Sequence, residues 1–389
     1  MMQKFLISLV AIALYCSTYF GFRQQPFSVS GLFSPLKIGL TAKSQSASTI
    51  QVALLLDTSG SMRGLIEQAK SQLWNILNEL ARTKKNDQEV TLEMALYEYG
   101  NPTKGNAPYF IHQLTPFTTD MDLISQQLFS LTTNGGDEYC GSIIQSALQE
   151  LEWKSDDELK IIYIAGNEPF TQGPISYKTA CYQAQEKGIT VHTIYCGDYE
   201  TGMAEQWKAS AQAGGGDYFN IDHNEETVYI KTPYDDQINQ LNMELNNTYI
   251  PYGELGQVKK ENQMVQDQNA STFGTANFAD RAAFKSSAKY TNAGWDLVDA
   301  YKKDKDILKK AEVKADSLQN LTADELEARV LEIAERRSAI QEEIKELDQK
   351  RRTYKAEQSR EAAGNASLGK SMISTLKKEA KEKGYKIED

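Results

Sequence analysis

The chain has 389 residues, 40% of them hydrophobic and 24% charged, enough for one full α/β domain plus an appended module and too mixed to be disordered throughout. A formal net charge of −11 and a pI near 5.1 exclude a phosphate-backbone binder, which needs a basic stripe to release counterions; no nucleic-acid partner is expected. The acidity suits solubility and the attraction of cations instead.

Met1-Met2-Gln3-Lys4 precedes an uncharged run from Phe5 to Phe22. A basic start before an apolar stretch reads as an export signal within residues 1–25. That run also reaches the lower edge of a membrane span, and no A-x-A cleavage site follows, so an uncleaved N-terminal anchor is the alternative. Either way the remainder is expected outside the cytoplasm: periplasmic, secreted or membrane-anchored. Cys16 follows bulky Tyr15, which argues against lipid attachment. Residues 26–48 read as a linker.

From residue 49 to 249 apolar runs alternate with amphipathic stretches, the pattern of a doubly wound, mostly parallel sheet with helices on both faces. Ile50 to Leu56 is a continuous apolar strand, and Leu65 to Leu80 repeats apolar residues at helical spacing. Val90 to Tyr97 and Tyr109 to Phe117 flank the turn-rich segment Gly100 to Pro108 and read as two strands. Leu159 to Ala165 and Ile189 to Cys196 are two more buried strands, with a helix from about Ile175 to Glu186 between them. Asp217 to Ile221 is a short last strand, and a helix near Asp235 to Asn246 closes the domain.

Residues 250–294 are rich in Gln, Asn, Ser, Gly and Lys without a sustained period, and read as a polar linker or loose extension. From 295 to 389 the composition is strongly helical. Leu326, Val330, Ile333, Ile340, Ile344, Leu347 and Tyr354 fall on one 4-3 register, interrupted by Arg337 and Arg351. This predicts a charged helical hairpin or coiled coil, with Leu297 to Leu318 as the covering helix and Thr322 and Glu325 as a capping box. Self-association through these helices is one outcome of such a seam; a solvated charged helix is the other. A tail of this kind would be dispensable for binding elsewhere.

The chemistry concentrates where the first strand ends. Asp57-Thr58-Ser59-Gly60-Ser61-Met62 sets one carboxylate and two hydroxyls at alternate positions, in the crevice where open α/β sheets bind ligands. Hard oxygens of this kind suit Mg²⁺, which keeps some positions for water or ligand. The bland alternative is a turn in which Asp57 or Ser59 merely caps the helix from Met62 onward. The hexapeptide resembles the D-x-S-x-S of the metal-ion-dependent adhesion site in the von Willebrand factor type A (VWA) domain family. That resemblance covers about Ile50 to Asn246.

It implies a divalent cation (Mg²⁺, or Mn²⁺ or Ca²⁺) held by Asp57, Ser59 and Ser61, and a protein partner whose acidic group fills an open position. It also implies a further ligand from the loop Asn134-Gly135-Gly136-Asp137-Glu138: Asp137, with Glu138 as fallback. Where the family has an Asp after the fourth strand, this chain has Ala165-Gly166-Asn167-Glu168-Pro169, so Asn167 or Glu168 would substitute.

Little in the sequence points to catalysis. Its histidines are His112, His192 and His223, two of them inside apolar strand patterns, and no H-E-x-x-H, G-x-S-x-G or P-loop pattern occurs. Cys140 lies beside the candidate site, but Asp137 and Glu138 would raise its pKa. Cys140, Cys181 and Cys196 allow at most one internal disulfide, or serve as small buried hydrophobes. The sequence therefore reads as a cation-dependent binding module for adhesion or complex assembly. The alternatives are a scaffold with a degenerate metal site or, more remotely, a metal-dependent hydrolase.

Overall fold

The computed structural model describes residues 48–104, 108–221, 230–311, 313, 318, 321–361 and 368–387. The expected export signal or anchor, the preceding linker and His223 lie outside them. Among the described residues no helix is long and apolar enough to cross a membrane.

In chain order the elements are β1 (Thr49–Asp57), α1 (Arg63–Ala81), β2 (Thr83–Lys85), β3 (Gln88–Glu89), β4 (Thr91–Tyr99), β5 (His112–Thr118), α2 (Met121–Phe129), α3 (Cys140–Glu150) and β6 (Leu159–Gly166). There follow α4 (Tyr177–Glu186), β7 (Thr190–Cys196), α5 (Tyr199–Ala204), α6 (Trp207–Ala213), β8 (Gly215–Ile221) and α7 (Asp235–Asn246). The chain ends with α8 (Gly256–Thr272), α9 (Thr275–Ser286), α10 (Leu297–Lys303), α11 (Ala323–Glu361), α12 (Leu368–Glu382) and β9 (Tyr385–Ile387).

Every residue of β1 and β6 is buried, which is why both strands are nearly continuous apolar runs. The six-stranded sheet has the order β5-β4-β1-β6-β7-β8. All neighbours are parallel except β5, which pairs antiparallel with β4. Alternate residues of β1 serve opposite faces. Ile50, Val52, Leu54 and Leu56 join the core under α1 and α2, whereas Ala53 and Leu55 join the core under α3 and α4. The doubly wound fold is therefore present, with helices on both faces.

The stretch read as a polar linker is helical. Helix α9 packs on α1 and α7 and α8 packs on α2 and α9, so this segment closes one face of the sheet. Apolar periodicity does not reveal it because, Phe284 apart, what these helices bury is small or polar: Gln263, Gln266, Asp267 and Ala270 on α8, and Ala279, Arg281, Ala282 and Lys285 on α9. Arg281 Nη1 lies 2.8 Å from Asp122 Oδ1 of α2, and its Nε is bonded to Asp267. Lys285, also fully buried, reaches Asp267 and Asn246; burial pulls its amine down to about 8 against the pull of Asp267.

The C-terminal region is helix-rich as expected, with a different cover for its seam. The start of α11 packs on the α10 segment, where Leu326 and Val330 meet Leu297, Val298 and Tyr301. Farther on, Ile340, Ile344 and Leu347 belong to the main core with Ile238, Leu241 and Leu245 of α7. The two arginines of the register are buried there. Arg337 bonds Asp296 (2.6 Å) and Asp299 (2.9 Å), and Arg351 bonds Asp235 (2.6 Å) and Asp280 (2.5 Å). The capping box forms: Thr322 N donates to Glu325 Oε2 at 2.8 Å. Helix α12 lies on α1, and β9 pairs with β2. The tail is thus packed onto the sheet domain instead of standing apart from it.

Arg351→Ala leaves Asp235 buried without its cation and Asp280 with Lys355 alone, and should cost about 3–5 kcal/mol, whereas Arg329→Ala, in an exposed pair with Glu332, should cost under about 0.5 kcal/mol; urea unfolding of both variants measures the difference. A chain ending near Pro251 exposes the apolar side of α1 that α9 and α12 cover, and should be insoluble or melt well below the full chain in a thermal scan.

Candidate metal centre

Asp57 stands at the carboxyl end of β1, opposite Tyr99 of β4, and is fully buried. The chain then turns sharply: Thr58 N donates to Tyr99 O at 2.9 Å, and Ser59 N donates to Asp57 Oδ1 at 2.6 Å. One 3-10 turn, Gly60–Met62, leads into α1. The turn brings Ser59 Oγ within 3.3 Å of Ser61 Oγ. Neither serine is spent on capping, because the helical start at Ser59 has no side-chain cap bond.

The loop before α3 crosses this turn, with Asn134 N donating to Thr58 O at 3.0 Å. Its two acids diverge. Asp137 is exposed and accepts the hydroxyl of Tyr139 at 3.1 Å. Glu138 is 4% exposed and faces Asp57; its backbone N–H donates to Gln172 Oε1 at 3.3 Å. The structure thus brings Glu138, the fallback residue, to the crevice and leaves Asp137 on the rim. Gly100, at φ +78°, makes room for this: a Cβ there would sit 2.8 Å from Glu138 Cγ and 2.9 Å from Asp57 Oδ1. Any side chain would therefore both strain the backbone and displace a carboxyl.

After β6, Asn167 and Ser61 are in contact, Asn167 Nδ2 lying 3.1 Å from Ser61 Oγ. Glu168 is turned aside, its carboxylate accepting Gln172 Nε2 at 3.3 Å and its carbonyl accepting Trp207 Nε1 at 2.9 Å. It acts on the site at a distance, through its charge. Sequence reasoning missed Tyr99, Gly100 and Gln172. Only Gly100 left a trace, as a glycine directly after a strand.

Burial pushes the Asp57 carboxyl up to about 6, against the opposing effect of the Ser59 N–H. Burial, and then the charge of Asp57, pushes Glu138 up to about 9. Asp57 Oδ2 and Glu138 Oε2 are both buried without a hydrogen-bond donor. Two acceptors of this kind, next to two serine hydroxyls, form a hard-oxygen set that fits a divalent cation. Among the described residues no three His, Cys, Asp or Glu side chains gather as a metal cluster, so a cation here would rely on hydroxyls for part of its shell.

Cys140, Cys181 and Cys196 are free and buried. Burial holds the Cys140 thiol well above its ordinary range, with the Tyr99 hydroxyl 3.8 Å away. His192 is fully buried; its Nδ1 accepts Asp217 N–H at 2.9 Å, and its Nε2 lies 2.7 Å from Glu379 of α12.

Among solved structures, the chain is similar to BatB from Bacteroides thetaiotaomicron, at 19% identity over 44% of this chain and 90% of that one, with a TM-score of 0.34. It is similar to the SpRpn10 VWA domain at 14% identity, over 49% of this chain and 94% of that one, with a TM-score of 0.36. A third is proximal thread matrix protein 1 of the mussel byssus with a zinc-occupied MIDAS motif, at 11% identity over 46% of this chain and 43% of that one, with a TM-score of 0.35. The chain thus spans less than half the length of the mussel protein. No curated protein matches it. The family model of the von Willebrand factor type A domain matches residues 51–231, the strands and loops that assemble around Asp57.

Proposed function

We propose that this chain is a binding module outside the cytoplasm that grips a protein partner through a divalent cation, Mg²⁺ or a similar hard ion. Asp57, Ser59, Ser61 and Glu138 would hold the ion, with Asn167 close by through Ser61. The observation that carries this reading is the pair of buried carboxyl oxygens, Asp57 Oδ2 and Glu138 Oε2, which face the same crevice and find no donor. A bound ion supplies positive charge to that pair and an open position for a partner's acidic group. The location outside the cytoplasm rests on the basic start and apolar run of residues 1–25. No catalytic role is proposed, since the Cys140 thiol and the His192 ring are both enclosed.

One observation favours a second reading, a scaffold whose site no longer takes metal. With Glu138 pushed up to about 9, a proton can satisfy the carboxyl pair at neutral pH without an ion. Titration calorimetry separates the two readings, because a proton-satisfied site gives no heat with millimolar cation. We expect saturable Mg²⁺ or Mn²⁺ binding that Asp57→Ala abolishes. Glu138→Ala should weaken it at least tenfold and Asp137→Ala by less than about threefold, since only the former lines the crevice. At a hundred times its Kd the ion should add about 2.7 kcal/mol to stability. Capture of partners from extracytoplasmic extract should succeed in Mg²⁺ and fail in chelator.

The sign of the pH response follows from the same pair. Both folded-state values are raised, so in chelator the native protein holds more protons than the unfolded chain, and stability falls as pH rises from about 5 towards about 9. A cation displaces the shared proton, so its affinity should rise over that window and flatten the stability profile. Thermal midpoints at several pH values, with chelator and with Mg²⁺, check both trends.

A further inference from the structure

The loops at the carboxyl edge of the sheet are mainly acidic, with Arg63 exposed where the first of them enters α1. Residues 58–62, 132–139, 167–176 and 197–200 contribute Asp137, Glu138, Glu168, Asp198 and Glu200 but no Lys, Arg or His; a fifth loop, 100–111, adds Lys104 alone. A divalent ion in the crevice would balance Asp57 and Glu138. The rest of the rim, with Asp137, Asp198 and Glu200 exposed, would stay negative. An acidic partner surface would meet repulsion over most of these loops, with the ion as the main exception.

Beside the crevice this edge holds an aromatic pair, one ring exposed and the other half-buried. Tyr109 is 45% exposed and packs edge-on against Tyr139, with ring centroids 5.6 Å apart. Tyr139 is fixed from both sides: its hydroxyl donates to Asp137, and its ring lies so close to Gly173 that a Cβ there would be 2.7 Å away. Tyr109 and Phe110 are held at φ 61° and 55°, a left-handed backbone that non-glycine residues seldom adopt. The same edge already contains one pairing of a cation with a tyrosine, Lys208 Nζ lying 5.7 Å from the Tyr199 ring centre.

The geometry points to a partner segment that is basic around a single acidic residue, with a Lys or Arg of that segment seated on Tyr109 and Tyr139 beside Asp137. This rests on the proposed cation site and names the class of partner it takes. The acidic residue engages the ion. The neighbouring cation gains the ring faces and the Asp137 carboxylate, a combination stronger than either alone. The remaining acids of the rim reject segments of the opposite charge pattern.

The test uses the full chain and short fluorescein-labelled peptides, each with one Asp flanked by lysines, serines or glutamates, read by fluorescence anisotropy in saturating Mg²⁺. We expect the lysine-flanked peptide to bind roughly tenfold tighter than the serine-flanked one, the glutamate-flanked one to bind weakest, and the spread to shrink with salt. Tyr109→Ala should remove most of the lysine preference while calorimetric Mg²⁺ affinity stays unchanged, and Asp137→Asn should reduce the preference too. Equal affinity for lysine- and serine-flanked peptides, no binding of any peptide, or a preference that survives both substitutions would overturn the inference. If the same order of affinities holds in chelator and no Mg²⁺ heat is seen, the cation reading fails and the basic partner stands.

Discussion

Strand β1 sits in the middle of its sheet with all nine residues buried, and much of the rest of the chain answers that constraint. A strand covered on both faces needs two helical layers. The layer of α3, α4 and α6 comes from the crossovers between strands, of which α4 was legible in the sequence. The opposite layer begins with α1 and α2, and residues far along the chain complete it: α9 and α12 lie on α1, and α11 lies on α7 and α9. The helical region after residue 250 is therefore part of how the sheet is covered.

Charge fastens that second layer. Arg281, Arg337 and Arg351 are each essentially buried, and each is matched by carboxylates from other elements. Pairs of this kind add little net stability relative to apolar packing, but a wrong register leaves a buried charge unmatched. Arg337 and Arg351 lie on the apolar register of α11, so the two ion-pair sets fix where that helix sits along α7 and α9.

The parallel strands were legible because burial on both faces writes itself as continuous apolar runs, and the sequence boundaries of β6, β7 and α7 fall within about two residues of the observed ones. The proximity of Asp57, Ser59 and Ser61 was legible for a local reason: they lie within five residues of one another, and the tight turn after β1 folds them together. The choice between Asp137 and Glu138 was not. It turns on which of two neighbouring side chains points inward, and that is set by Gly100 and Gln172 from distant parts of the chain. Helices α8 and α9 were hidden because, apart from Phe284, they bury amides, alanines and ion pairs in place of an apolar stripe. The role of α11 was half visible, its seam plain and the purpose of its arginines concealed.

The close of the fold bears on how the domain would respond to a pull along its central strand. Tyr385 of β9 donates its hydroxyl to Thr49 O at 2.9 Å, which ties the end of the described chain to the start of β1, at the opposite edge of the sheet from Asp57. A pull between Asp57 and Thr49 therefore runs along a single straight strand. Its parallel neighbours β4 and β6 hold it on both sides through most of its length, so their hydrogen bonds are sheared together instead of being opened one after another. Rupture under such a pull is governed by the rate of that concerted step, not by the equilibrium stability of the domain.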